Sequence, residues 1–158
     1  MVKHPINPIF DINSKILILG SFPSVKSREQ MFFYGHPQNR FWKVVSAVFD
    51  RNTPETVEEK KDFLLSTHIA VWDVIASCDI AGSSDSSIKN VVPNNLNTIL
   101  NTAKIKNIYV NGKTAEKYYN KYIKNNIKRP AICLPSTSPA NAAWSLERLI
   151  EAWEIVKL

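Results

Sequence analysis

The chain contains few of the residues that build metal centres, redox sites or membrane spans. Of its 158 residues only two are cysteines, Cys78 and Cys133, and neither belongs to a CxxC or Cys-His pattern. Two isolated thiols predict no zinc or iron-sulfur site, so we expect no metal and no cofactor. No apolar run is long enough to cross a membrane, and the N-terminus lacks the apolar core of a signal peptide. We therefore expect a cytoplasmic protein that does not bind membranes.

Nucleotide-binding and hydrolase signatures are also missing. The chain has only four glycines, and neither GxGxxG nor a P-loop occurs, which disfavours a nucleotide-binding α/β protein. The GxSxG elbow of serine hydrolases is absent too. No sequence pattern therefore supports a serine nucleophile.

Composition predicts a globular protein with an excess of positive charge. The hydrophobic fraction is 44%, and one domain over residues 1–158 is long enough to bury a core. Twenty Lys and Arg residues against fourteen Asp and Glu give a formal charge of +6. Such a charge favours a polyanionic partner, although a solvated basic face explains it equally well.

Apolar runs and helical periodicities alternate along the chain. Strands are predicted at residues 16–19, 69–75, 106–110 and 130–134, after an entry segment, residues 1–14, without regular structure. The predicted helices begin at Asn39, run from Thr53-Pro54 to Ser66, span residues 94–103 and 113–126, and begin again near Ala142. This alternation predicts a three-layer α/β/α sandwich around a central four-stranded, mainly parallel sheet.

The segment between the first strand and the helix at Asn39 is nearly twenty residues long, well above the usual strand-to-helix connection. Loops at the carboxyl ends of parallel strands bind ligands. Four such loops are expected to converge, carrying GSFPS, DVIASCD, VNG and LPSTSPAN. We expect any active site there.

The motifs GSFPS, YGHPQNRFW, DVIASCD with GSSDSSI, VNGKTAE and LPSTSPANA span nearly the whole chain. Together they resemble the uracil-DNA glycosylase superfamily, most closely its hypoxanthine-DNA glycosylase branch, also called the DNA-deoxyinosine glycosylases. The resemblance implies a monofunctional enzyme of base excision repair that flips a damaged base out of DNA and hydrolyses its N-glycosidic bond. The implied partner is DNA containing a deaminated base, and we expect a monomer without metal or cofactor.

The resemblance also implies roles for individual residues. Asn39, in the HPQN segment, matches the catalytic amide of the hypoxanthine branch, and Phe22 stands where many superfamily members have a catalytic Asn. Ser136 stands where many relatives have His or Asn, and the wedge that fills the gap of the flipped base falls near Ala140 or Asn141. The expected base pocket comprises Gly20, Ser21, Phe22, Tyr34, His36 and Ser136, and the expected DNA contacts are Ser24, Thr137, Ser138, Ala140 and Asn141.

Several alternatives stay open at this point. Asn39 suits donation to the purine, orientation of the attacking water, or capping of the helix that follows it. Asp73, Asp79 and Asp85 suit turn caps better than catalysis. Hypoxanthine, the product of adenine deamination, is the favoured substrate. A uracil, mismatch or broader deaminated-base glycosylase is the alternative, and a catalytically silent DNA-binding module on the same fold is a third.

Overall fold

Seven strands form two sheets in the computed structural model, which describes residues 1–157. The strands are β1 (Val2–Lys3), β2 (Ile16–Gly20), β3 (Ile69–Asp73), β4 (Ile75–Asp79), β5 (Lys89–Pro93), β6 (Asn107–Asn111) and β7 (Ile132–Leu134). The larger sheet has the order β3-β2-β6-β7, and all its pairings are parallel. The four runs predicted as strands thus contribute the four strands of this sheet.

Helices cover both faces of the parallel sheet. They are α1 (Val25–Gln30), α2 (Phe41–Val48), α3 (Val57–Ser66), α4 (Asn97–Leu100), α5 (Lys113–Tyr122), α6 (Lys124–Ile127) and α7 (Leu146–Trp153), the last followed by a 3-10 turn, Glu154–Lys157. In β2, Ile16 and Ile18 join the core formed with α2, α3 and α7, whereas Leu17 and Leu19 join the core formed with α4 and α5. Since neighbouring strand residues point to opposite faces, a continuous apolar run is what a sheet between two helical layers requires. The predicted fold class is confirmed.

The smaller sheet was not predicted. Its order is β1-β4-β5 and its pairings are antiparallel. The interpretation of residues 1–14 as an entry segment without regular structure was wrong, because Val2 pairs with Cys78 and Ile9 forms a bridge with Val71. The predicted strand 69–75 also breaks at Val74, so its last residue begins β4.

Helix boundaries differ from the predictions where another capping residue is used. Thr56, not Thr53, caps α3, since its hydroxyl accepts from the backbone N–H of Glu59. Ser145 caps α7 in the same way, so this helix begins later than Ala142. The expected helix 113–126 is interrupted at Ile123. None of the helices within residues 1–157 has the length and apolarity that a membrane span requires.

The long segment after β2 is not all loop. Its first half contains the six-residue helix α1, capped by Ser24. The turn that follows contains two residues with left-handed backbone, Met31 and Tyr34. The segment therefore has a defined shape above the sheet, and it presents Tyr34 toward the carboxyl ends of the strands.

Candidate active site

A cavity of about 560 Å³ lies at the carboxyl ends of β2, β3, β6 and β7. Its volume is in the range of pockets that hold small molecules and cofactors. A second cavity, of about 700 Å³, adjoins it and shares Asn111 and Ser136 in its lining. The parallel sheet thus places its ligand-sized space where its topology predicts one.

Eleven of the twelve residues singled out from the sequence line the first cavity. They are Gly20, Ser21, Phe22, Ser24, Tyr34, His36, Asn39, Ser136, Thr137, Ser138 and Ala140. The twelfth, Asn141, lines the adjoining cavity. The fold therefore gathers these residues around two adjoining cavities.

Aromatic rings define one wall of the first cavity. The ring of Tyr34 stacks on Phe41, with centroids 4.0 Å apart and planes 13° from parallel. Phe22 is buried, with 8% exposed, and the Arg28 guanidinium lies 5.5 Å from its ring centroid. Phe32 and Phe33 belong to the hydrophobic core, and Phe33 also lines the cavity.

Asn39 lines the first cavity. Its side-chain oxygen Oδ1 accepts two hydrogen bonds, from the backbone N–H of Phe41 at 2.9 Å and from the hydroxyl of Thr137 at 2.9 Å. Arg40 occupies the N-cap position of α2 but makes no side-chain cap bond, and the Asn39 oxygen satisfies the first helical N–H instead, so the capping alternative holds for this oxygen. No group within residues 1–157 accepts a hydrogen bond from Nδ2 of Asn39, so this nitrogen is available to a ligand.

A histidine–aspartate pair that the sequence did not indicate lies beside Phe22. Nε2 of His4 is 2.7 Å from Oδ2 of Asp73, and the two side chains are only 3% and 5% exposed. The Nδ1 atom of His4 accepts from the backbone N–H of Ile6, so the donor in a neutral ring is Nε2. The interpretation of Asp73 as a turn cap was wrong, because its carboxylate binds this imidazole.

Asp73 also approaches Gly20 and Tyr34. A β-carbon on Gly20 would overlap Oδ1 of Asp73 and would lie 3.1 Å from the hydroxyl oxygen of Tyr34. The Tyr34 hydroxyl is buried without a hydrogen-bond partner among residues 1–157. Burial first, and the Asp73 charge second, hold the pKa of this phenol well above its usual range. The phenol therefore stays neutral over the physiological pH range.

The serine-rich loop after β4 covers the cavity from another side. Residues 83–86 contribute to the cavity wall. The Ser83 hydroxyl accepts from the N–H of Val25, and Arg28 donates to the carbonyl of Gly82, so this loop is fastened to α1. The GSSDSSI motif does not reveal this attachment.

The loop after β7 is ordered by hydrogen bonds of its own. Ser136 Oγ accepts from the N–H of Ser138, and Ser138 Oγ accepts from the N–H of Ala140. The Arg40 guanidinium donates to the carbonyls of Ser138, Asn141 and Trp144. Thr137, expected at the DNA backbone, is instead fully buried, with 0% exposed.

Ser24, also expected at the DNA backbone, is occupied by its own helix. Its hydroxyl accepts from the N–H of Ser27 and donates to the Ser27 hydroxyl at 3.1 Å. Within residues 1–157, His, Cys, Asp and Glu side chains form no group of three that could hold an ion. The polar side chains that line the first cavity are the amides of Asn39 and Asn111, several hydroxyls, the His36 imidazole and the carboxylates of Asp73 and Asp85.

Comparison with known proteins identifies the family. The model of the uracil DNA glycosylase superfamily matches residues 8–157. A protein of Methanosarcina acetivorans named hypoxanthine DNA glycosylase is 34% identical over 158 residues, which cover 99% of this chain and 98% of that protein. A protein of the same name from Methanosarcina barkeri is 30% identical over 120 residues, covering 75% and 76% of the two chains.

A solved structure agrees with this relationship. The solution NMR structure of a Methanosarcina acetivorans protein, described provisionally as a uracil DNA glycosylase, superposes with a TM-score of 0.84 at 33% identity. The match covers 99% of this chain and 97% of that one. With a family model that spans nearly the whole sequence and full-length relatives above 30% identity, this chain belongs to the uracil DNA glycosylase superfamily.

Proposed function

We propose that this protein is a monofunctional DNA glycosylase that removes hypoxanthine from DNA. Its substrate would be a deoxyinosine flipped into the cavity above the sheet. The observation that carries the proposal is the free amide nitrogen of Asn39 at that cavity, in a chain whose similar relatives are named hypoxanthine DNA glycosylase. We further propose that the protein acts as a monomer.

Hydrolysis breaks the bond between the sugar C1′ and the base nitrogen and joins a water oxygen to C1′. The electron pair of the broken bond moves to the base, and the proton that water loses ends on the departing base or in solvent. A hydrogen bond that strengthens as negative charge develops on the base lowers the barrier. We assign that bond to Nδ2 of Asn39, since the two hydrogen bonds accepted by its Oδ1 disfavour the alternative in which this oxygen orients water.

The sugar becomes cationic as the base departs. Asp73 is the one buried carboxylate within residues 1–157, and it lines the same cavity. A negative charge at short range in a poorly hydrated site stabilises a developing positive charge more than it would in water. We therefore assign Asp73 to stabilise the cationic sugar, while His4 holds one of its oxygens in place.

We assign Tyr34 to stack on the base. Phe41 covers one face of its ring, so only the other face is left for the base. Stacking of a base on an aromatic ring contributes about 1–3 kcal/mol. Phe22 has no polar side-chain atom with which to position water. We assign it instead to narrow the pocket, which it lines from another side. This combination favours a flat purine whose departure depends on Asn39.

The test is release of base from otherwise identical duplexes that carry one hypoxanthine or one uracil, with alkaline cleavage reporting the abasic site. Asn39→Asp is the informative variant, since it keeps an oxygen for Phe41 N–H and Thr137 but replaces the donor with an acceptor. We expect hypoxanthine release to fall about 100-fold or more. Gln38→Glu makes the same chemical change at an exposed neighbouring position and is the matched control.

The outcomes separate the alternatives. Release of uracil at a comparable rate would replace the hypoxanthine proposal with a broader deaminated-base glycosylase. Duplex binding without release of either base would support the catalytically silent DNA-binding module. An Asn39→Asp variant as active as Gln38→Glu would remove Asn39 from catalysis and leave the substrate assignment intact.

A further inference from the structure

We propose that Thr137 and Asn111 are positioning residues that fix the amide of Asn39 with its nitrogen toward the substrate. The inference rests on the catalytic role proposed for Asn39 and adds the device that orients it. Three side chains take part, from three different segments: the loop before α2, the end of β6 and the loop after β7.

The orientation of the Asn39 amide follows from what its neighbours can donate. A backbone N–H has no lone pair to offer, so the atom 2.9 Å from the Phe41 nitrogen has to be the side-chain oxygen. The Thr137 hydroxyl lies at the same distance from this oxygen. Rotation of the amide by 180° would place its NH2 group against the Phe41 N–H and would lose the hydrogen bond.

The Thr137 hydroxyl has a single proton, and Asn111 determines where it points. Nδ2 of Asn111 donates to the Thr137 oxygen at 3.0 Å, so the hydroxyl proton is directed to Asn39. The Thr137 N–H in turn donates to Oδ1 of Asn111 at 3.1 Å, which fixes the amide of Asn111 as well. The Thr137 hydroxyl thus accepts from Asn111 and donates to Asn39, so the direction of donation runs from Asn111 to Thr137 to Asn39.

Two consequences follow for the catalytic nitrogen. Hydrogen bonds in series polarise one another, so acceptance of two bonds by Oδ1 makes the NH2 group of Asn39 a stronger donor. The amide is also held before substrate arrives, and small displacements of a catalytic group cost large factors in rate. Neither Thr137 nor Asn111 needs to touch the base for these effects.

These hydrogen-bonded side chains lie in the interior of the protein. Thr137 is 0% exposed and Asn111 only 9%. Asn111 ends β6 opposite Leu134 of β7, and the Thr137 carbonyl accepts from the N–H of Arg40 at 3.0 Å. The parallel sheet therefore sets the position of Asn111 and Thr137, and these set the direction of Asn39.

The hydrogen bonds from Asn111 to Thr137 and from Thr137 to Asn39 form a relay. Thr137→Val tests this relay, because valine has nearly the shape of threonine without its hydroxyl. Thr137→Ser restores the hydroxyl, and Thr102→Val makes the same substitution at an exposed helix-end position, where the hydroxyl bonds only its own helix. Under single-turnover conditions we expect Thr137→Val to slow hypoxanthine release by about tenfold or more, with duplex affinity changed little. Thr137→Ser is expected to recover most of the rate, and Thr102→Val to match the wild type.

A double-mutant cycle separates this role from general support of the fold. If Thr137 acts through Asn39, Thr137→Val adds little to the loss already caused by Asn39→Ala. A loss that is the same in both backgrounds would overturn the proposal. So would a Thr137→Val protein with the rate of the wild type.

A measurement independent of activity keeps this inference distinct from the proposed function. In 15N-resolved NMR spectra, the side-chain NH2 group of Asn39 is expected to be ordered in the wild type and in Thr137→Ser, and to gain mobility in Thr137→Val. If its order is unchanged in Thr137→Val, the relay is wrong even for an active enzyme. If the relay is seen but hypoxanthine is not released by the wild type, the proposed substrate fails and the positioning stands.

Discussion

His4 and Asp73 are separated by 69 residues of sequence, yet Nε2 of the imidazole lies 2.7 Å from Oδ2 of the carboxylate. Both side chains are almost fully buried. The pair links the N-terminal segment, whose strand β1 belongs to the antiparallel sheet, to the last residue of β3 in the parallel sheet. It is therefore a connection between the two sheets, made at the wall of the candidate site.

His4→Phe is expected to destabilise the protein. The substitution keeps an aromatic ring against Phe22 and Trp72 but leaves the Asp73 carboxylate buried without its donor. Loss of one partner of a buried pair costs about 3 kcal/mol. Urea unfolding measures this change, and His68→Asn serves as control because His68 is exposed and asparagine tolerates its left-handed backbone. An unfolding free energy equal to that of the control would mean that the pair contributes nothing.

The sequence predicted the strands of the parallel sheet but not the contact between His4 and Asp73. The apolar runs ending at Leu19 and Val110 identified two strands of the parallel sheet, because a strand buried on both faces leaves a continuous signal. The two-residue strand β1 is too short to leave one. Contact between His4 and Asp73 depends on pairing over a long sequence separation, which a single sequence does not contain.

The candidate site was predictable in its location more than in its side-chain directions. Residues at the carboxyl ends of all four predicted parallel strands line one cavity, as expected. The expected DVIASCD loop is mostly strand β4, however, and contributes only Asp73 to the wall. Whether a loop residue points inward or outward has no periodicity to reveal it. For that reason Thr137 was expected on the DNA side of its loop, while the structure has its hydroxyl between Asn111 and Asn39.

Gly20→Ala is expected to impair both stability and base release. The added carbon would overlap Oδ1 of Asp73, and that carboxylate cannot easily move because His4 holds it. Overpacking of this kind costs about 1–3 kcal/mol. Denaturant unfolding and single-turnover kinetics on a deoxyinosine duplex check the two effects.

Gly35→Ala is the matched control for that substitution. There the added carbon meets the side-chain oxygen of Gln30, the end of a flexible and exposed side chain that can turn away. We expect near wild-type stability and activity. Equal losses for the two alanine variants would contradict the argument that Asp73 is held rigidly.

Tyr34→Phe is expected to make the protein more resistant to alkali. Burial raises the pKa of the Tyr34 phenol above its value in the unfolded chain, so between the two values the native state holds a proton that the unfolded state has lost. The unfolding free energy therefore falls as pH rises above about 10, by up to about 1.4 kcal/mol per pH unit for one such group. Phenylalanine removes this contribution.

Urea unfolding of the wild type and Tyr34→Phe between pH 8 and 11 measures the difference. At pH 8 the variant should be at least as stable as the wild type, because the deleted hydroxyl has no hydrogen-bond partner within residues 1–157. Tyr118→Phe makes the same chemical change on α5 and is the control. Parallel curves for the wild type and Tyr34→Phe would contradict the raised pKa.

Arg40→Lys is expected to loosen the loop after β7. The Arg40 guanidinium donates to Asn141 O at 3.0 Å and Ser138 O at 3.3 Å, and also to Trp144 O, so one planar group fastens the whole loop. A lysine ammonium keeps the charge but has no fork with which to reach three carbonyls. We expect faster hydrogen exchange at the amides of Asn141 and Trp144, whose acceptors are loop carbonyls.

Duplex binding shows whether the hydrogen bonds from Arg40 to the loop after β7 matter for DNA binding or only for the order of the loop. Since Ser138, Ala140 and Asn141 are proposed DNA contacts, a looser loop pays more ordering entropy on binding, and affinity for a deoxyinosine duplex should fall about tenfold. Arg51→Lys is the control, because Arg51 contacts an exposed Ser66 hydroxyl far from this loop in the fold. Arg40→Lys could speed hydrogen exchange and still bind the duplex as tightly as Arg51→Lys does. In that case the order of the loop contributes nothing to DNA binding, and the proposed contacts at Ser138, Ala140 and Asn141 are wrong.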